Sequence, residues 1–113
     1  MALRRLLAIA VLGLLTSCAS PTLPLPPPEP PTVTESATPG MVHLSSVRGA
    51  ESSAIIVIIN RNPTLPLDKR VSGSQADDNG TWDADVVAAR GDILEITQEF
   101  GSETSSPTDV PVP

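Results

Sequence analysis

At 113 residues, with thirteen prolines and a formal net charge of −6, the chain has room for one domain and its appendages. The acidic balance argues against nucleic acid as a partner, because phosphate binding needs a basic footprint that displaces counterions. One Trp, one Phe and no Tyr leave any core to Val, Ile, Leu and Ala, and a single Cys excludes an internal disulfide.

The first eighteen residues, MALRRLLAIAVLGLLTSC, divide into a positive start at Arg4 and Arg5, an apolar middle from Leu6 to Leu15, and small residues Thr16 and Ser17 before Cys18. This is the layout of a secretory signal peptide. As a helix the apolar middle is about 15 Å long at about 1.5 Å per residue, roughly half of a bilayer's hydrocarbon thickness. Leu15-Thr16-Ser17-Cys18 resembles the lipobox of bacterial lipoproteins. The resemblance implies cleavage between Ser17 and Cys18, diacylglycerol on the Cys18 thiol, and acylation of the new N-terminus. Because each buried methylene adds about 0.8 kcal/mol of membrane affinity, two or three chains make a firm anchor where one is marginal. Ala19 rather than Asp follows the cysteine, which by the sorting rule of such lipoproteins implies the outer membrane. An ordinary cleaved signal with an incidental Cys is the plainer alternative. Loss of Arg4 and Arg5 takes the formal side-chain charge from −6 to −8.

Residues 18–40 read as a disordered spacer. Pro21, Pro24, Pro26, Pro27, Pro28, Pro30, Pro31 and Pro39 lack backbone donors and force their neighbours into extended conformations. In polyproline II geometry, at about 3.1 Å per residue, some twenty residues reach about 60 Å, which would lift the folded part clear of the membrane. A PxxP docking motif is the competing reading, but no basic residue flanks the prolines to orient a partner.

Residues 41–113 read as the folded part. MVHLSSV predicts a first strand. AIIVIIN, Ala54 to Asn60, is β-branched and too short for a helix, so it predicts a second. RNPTLPLD is a loop, since Pro63 and Pro66 exclude regular structure, and KRVSGSQA is a weaker strand. Asp77-Asp78-Asn79-Gly80 is a hairpin turn, because Asn and Gly tolerate positive φ. TWDADVVAA alternates Trp82, Ala84 and Val86 against Asp83, Asp85 and Val87, as a half-buried strand does. Arg90-Gly91-Asp92 turns the chain into ILEITQEF, with Leu94, Ile96 and Phe100 on one face. TDVPVP is a final strand that its prolines confine to an edge.

Short strands at regular spacing between Gly and Asn turns predict an all-β sandwich. VRGAESSAIIVIIN, QADDNGTWDADV and ARGDILEITQEFGSETSSPT together resemble the bacterial immunoglobulin-like repeats of cell-surface proteins. Gly49-Ala50, Ala76-Asp77, Asn79-Gly80, Trp82, Gly91-Asp92 and Gly101 fall on that pattern in order, over about Val42 to Val112. Arg90 departs from it, as does the proline loop after Asn60. The resemblance implies a small immunoglobulin-like β-sandwich of the seven-strand type with a structural or binding role and no catalytic residues.

Few side chains offer chemistry. Asp77, Asp78, Asp83 and Asp85 are oxygen ligands of the kind Ca²⁺ takes, but their spacing is not that of an EF-hand loop. They read as a solvated hairpin, with no metal expected. Arg90-Gly91-Asp92 matches the integrin-binding tripeptide, and its Gly-Asp pair is equally explained by turn chemistry. His43 is the only histidine, and Ser45, Ser46, Ser52 and Ser53 have no base to activate them. No catalytic residue, enzyme activity or cofactor is therefore expected. In AIIVII, Ile55, Val57 and Ile59 can take one strand face, which leaves Ile56 and Ile58 on the other. Two isoleucines on an outer face predict a surface covered by a partner or a neighbouring copy, or by another part of the same chain. On the partner reading, Ile56→Lys leaves the fold intact and abolishes binding.

Together these features predict a lipid-anchored protein of the bacterial envelope, held by Cys18, with a signal peptide over 1–17. Its expected role is a non-catalytic interaction or scaffolding module acting on another envelope protein or polymer. The alternative is a carbohydrate- or cell-wall-binding accessory domain. That reading is weakened if Trp82 lies in the core, since sugars stack on exposed rings.

Overall fold

A computed structural model describes residues 23–113. The positive start, the apolar segment, Ser17 and Cys18 lie outside the described residues. Eight strands follow in order: β1 Thr32–Glu35, β2 Met41–Ser46, β3 Ile55–Asn60, β4 Val71–Gln75, β5 Trp82–Val87, β6 Ile93–Phe100, β7 Glu103–Thr104 and β8 Thr108–Pro111. They form two antiparallel sheets, β1-β2-β5 and β4-β3-β6, with β7 and β8 both pairing β6. The protein is an all-β sandwich.

Between the sheets lie Leu44 of β2, Trp82 and Val86 of β5, Ile56 and Ile58 of β3, Leu94 and Ile96 of β6, and Val110 of β8. Alternation along β5 runs as the pattern predicts, with Trp82 and Val86 inward and Asp83 and Asp85 outward. Phe100 shares the parity of Leu94 and Ile96, yet as the last residue of β6 it is 48% exposed and lies outside the core. The final strand β8 does lie at a sheet edge.

The faces of β3 are the reverse of those expected. Ile56 and Ile58 are 0% and 1% exposed and belong to the core, so neither is a partner surface and Ile56→Lys attacks the fold itself. Ile55, Val57 and Ile59 point outward. Strand alternation is symmetric with respect to the two faces when both are aliphatic. The inward set here ends in Asn60, a polar residue that is nevertheless 2% exposed. Neighbouring β6 mirrors it, with Gln98 at the opposite end of its inward row, also 2% exposed and paired across from Ile56. Each end of the central strand pair is thus closed by a buried amide, and a buried amide must be hydrogen-bonded.

Gln98 shows why the folded part begins earlier than residue 41. Its Nε2 donates to the Pro26 carbonyl at 2.7 Å, and its Oε1 accepts from the Glu51 N–H at 2.7 Å. The Thr108 hydroxyl donates to the Pro28 carbonyl, and the Glu29 N–H donates to Gly49 O at 2.8 Å. Pro28 and Pro31 are buried. Four residues further on, Thr32–Glu35 pairs with Val42–Ser45 as the edge strand of its sheet. Prolines lack donors but keep acceptors. A proline-rich segment can therefore dock wherever the fold supplies donors, and Gln98 and Thr108 do so. The boundary of the expected spacer at residue 40 is corrected accordingly.

The loop after Asn60 also holds one helical turn, α1 Leu67–Arg70, in place of the end of the expected loop and the first two residues of the expected strand, which begins only at Val71. Pro66 stands at its N-cap with φ −65°, a position where the missing N–H costs nothing.

Candidate functional site

The outward row of β3 forms the centre of an aliphatic feature that the core leaves unexplained. Ile55, Val57 and Ile59 lie across from Gln75, Gly73 and Val71 of β4, and across from Glu99, Thr97 and Glu95 of β6. Ile55 is 50% and Val71 47% exposed, and Val57 and Ile59 are half-buried. Gly73 covers nothing: a Cβ added there meets only the Ile56 carbonyl, at 3.7 Å. The result is an aliphatic band open toward β4 and bordered by carboxylates on β6.

That border is organised. Arg61, one residue beyond β3, donates through Nη2 to Glu95 at 3.0 Å and to Asp109 at 2.6 Å. The hydrogen bond to Glu95, then that to Asp109, raises the guanidinium pKa above its ordinary value. The clamp joins β3, β6 and β8 on the outer face, and leaves Glu99 beside Ile55 with no ion pair among the described residues.

At the end of β3, Asn60 Nδ2 donates to Val87 O at 3.0 Å and to Asp92 Oδ2 at 2.9 Å, while Asn60 Oδ1 accepts from the Asn62 N–H at 2.9 Å. Asp92 further accepts from the Ala89 N–H at 3.0 Å and from Asn62 Nδ2 at 3.1 Å. Hydrogen bonds to the ionised form hold the Asp92 pKa below its ordinary value, the bond from Asn60 foremost and against the opposing effect of burial. The Arg90-Gly91-Asp92 sequence is therefore a structural turn with its carboxylate committed inward. Gly91 supplies φ +91°, which a β-carbon resists.

The other sequence-derived candidates are dispersed. Asp77 Oδ1 accepts from the Asn79 N–H at 2.9 Å and the Thr81 N–H at 3.0 Å, closing the turn that its composition predicts. The turn carries the chain from one sheet to the other, however, and β4 and β5 are not a hairpin pair. Gly80 there has φ +80°, and a Cβ would stand 2.1 Å from the Ala50 carbonyl oxygen. Asp78 meets the Ser53 hydroxyl at 3.5 Å. Asp85 pairs across strands with His43 at 2.9 Å on the exposed face of β2 and β5. No group of three or more His, Cys, Asp or Glu side chains able to hold a metal occurs among the described residues. Ser46 is buried, Ser45 is half-buried, and Ser52 and Ser53 sit in the β2–β3 loop. Trp82 is 3% exposed, and its indole N–H has no partner among the described residues. An open cleft of about 120 Å³ lined by Val33, Val42, Val112 and Pro113 is far below the roughly 300 Å³ of small-molecule pockets.

Sequence reasoning found the aliphatic surplus on β3 but placed it on the wrong side. It missed the Asn60–Asn62–Asp92 network, for which the Asn-x-Asn-Pro run just after the strand was the available signal. No helix among the described residues is long and apolar enough to cross a membrane. Comparison with protein-family models, with curated proteins and with solved structures finds no match to this chain.

Proposed function

We propose that the protein is a lipid-anchored component of the bacterial envelope whose sandwich acts as a non-catalytic interaction or scaffolding module. The observation that carries this reading is the aliphatic band on the outer face of β3 and β4, formed by exposed Ile55 and Val71 with half-buried Val57 and Ile59 between them. Aliphatic residues concentrated on one solvent-facing sheet surface mark contact with another molecule. The order of the strands supports the immunoglobulin-like likeness. The first, second and fifth strands share one sheet, and the third, sixth and last share the other, as in sandwiches of that type. The fourth departs from the seven-strand order by pairing with the third instead of joining the first sheet. Signal layout, lipobox and small binding fold are mutually consistent.

The carbohydrate-binding alternative has to work without Trp82, which is buried, and rests on Phe100 as the one other aromatic side chain of the chain. The aliphatic band favours a protein surface over a sugar.

The test has two arms. Mass spectrometry of protein purified from its native membrane is expected to show an N-terminus at Cys18 carrying diacylglycerol and an amide-linked acyl chain; an intact Met1 overturns the anchor. Cross-linking capture of the wild type and of Val57→Lys, at equal amounts of folded protein, is expected to lose the same captured species in the variant. Identical capture overturns the band as the contact surface.

A further inference from the structure

The docked prolines change where the sandwich sits, if the chain is anchored at Cys18 as proposed above. We infer that the tether is short, and that it holds the sandwich with the β2–β3 and β6–β7 loop end toward the bilayer and the opposite end outward. Pro26 is already bound by Gln98 Nε2 at 2.7 Å, and Pro28 and Glu29 by Thr108 and Gly49. Only about eight residues separate Cys18 from Pro26, which at about 3.1 Å each span about 25 Å. A free spacer to residue 40 would span more than twice that.

Register fixes which end the tether enters. Gln98 is near the end of β6, level with Ile56 near the start of β3 and Ser74 near the end of β4. The β2–β3 loop, with Val47 77% exposed, the Asp77–Gly80 turn and Phe100 all lie at that end. The eight residues of β6 span about 26 Å at about 3.3 Å per residue. The opposite end can touch the bilayer only if the tether turns back and runs its full length alongside the sandwich.

Charge is distributed to match a stand-off rather than an adhesion. The tethered end carries Glu29, Glu51, Asp77, Asp78, Glu99 and Glu103 against Arg48 alone, whereas at the far end Arg61, Lys69, Arg70 and Arg90 offset Glu35, Asp68, Asp92, Glu95 and Asp109. With a screening length of about 8 Å at physiological salt, a gap on the scale of the tether leaves those carboxylates unaffected by anionic headgroups. The opposite, less acidic end is then the one presented to the surroundings, and the aliphatic band stands side-on, clear of lipid.

Cys18 is the only cysteine, and acylation consumes it, so one introduced thiol can be labelled uniquely in the full lipidated chain. A donor dye is placed by Val47→Cys or by Arg90→Cys, both exposed, with an acceptor in the headgroup layer of phosphatidylcholine vesicles. Several-fold more efficient transfer from position 47 than from position 90 is expected. An eight-residue Gly/Ser insertion after Thr22 is expected to bring the two positions close to equality without touching the fold. Equal transfer in the uninserted chain, or stronger transfer from position 90, overturns the inference. So does a difference that survives the insertion, because the tether is then not its cause. A labelled chain that fails to float with the vesicles is distinguishable from these results; it overturns the anchor and the orientation with it.

Discussion

The two faces of β3 are built from the same kind of side chain and have opposite fates. Ile56 and Ile58 are sealed between the sheets, while Ile55, Val57 and Ile59 stand on the outside, one strand-width from β4 and its uncovering Gly73. Composition does not separate them, since each face is aliphatic. What separates them is the polar residue that each row ends in, and what that residue finds to bond. Asn60 is drawn inward because Val87 O, the Asn62 N–H and the Asp92 carboxylate converge on it, and its neighbours of like parity go in with it. A buried amide with satisfied partners is thus as effective as an apolar residue in deciding a strand's face.

Substitution on the inner face should produce the largest effect. Ile58→Asp places an unpaired carboxylate in the core and should cost more than about 4 kcal/mol, enough to leave the protein unfolded by circular dichroism at room temperature. Ile58→Ala should cost about 2–5 kcal/mol through the lost contacts and the cavity, read from chemical denaturation. A folded, cooperative Ile58→Asp protein would reverse the assignment of faces.

Asn60→Ala comes next. It strips Val87 O and Asp92 of a donor and should cost about 1–3 kcal/mol. It should also change the acid limb of stability. The folded-state pKa of Asp92 is depressed, so its contribution is fully present above the unfolded value of about 3.9 and is lost as pH falls from there through the folded value. Denaturation between about pH 5 and pH 2 should therefore show a steeper fall for the wild type than for Asn60→Ala. Parallel curves would mean that the amide does not hold the carboxylate ionised.

Smaller and opposite in sign is Gly73→Val. Its Cβ meets nothing nearer than 3.7 Å, and removing a mid-strand glycine is worth about 0.5–1 kcal/mol. The variant should melt a few degrees higher, and by filling the open side of the aliphatic band it should weaken the capture that depends on Val57. Val57→Lys should give the smallest stability change, within about 0.5 kcal/mol, because its head reaches water past its own stem. A large loss there would mean the outer face is part of the core.

How much of this was legible in the chain depends on the distance over which each feature is decided. The turns at Asp77–Gly80 and Arg90–Asp92, the alternation in β5 and the edge position of β8 follow from residues adjacent in sequence, and they appear as their patterns predict. The pairing expected across Asp77–Gly80 does not, since its two strands belong to different sheets. The docking of Pro26 on Gln98 joins residues 72 positions apart, so nothing near either residue announces it. α1 was hidden for another reason, because two prolines were read as breakers when one of them starts the helical turn.

By itself the sequence determined the all-β character, most of the strand and turn positions after residue 41 and the signal-like layout of the first eighteen residues. All of these rest on local backbone preference and short-period patterning. Only the tertiary structure decided which face of β3 is inside, that the proline stretch from Pro26 belongs to the sandwich, and that Asp92 is spent on a buried network. Those outcomes depend on donors and acceptors brought together from distant segments, and a hydrogen bond between such partners exists only once the sheets have packed.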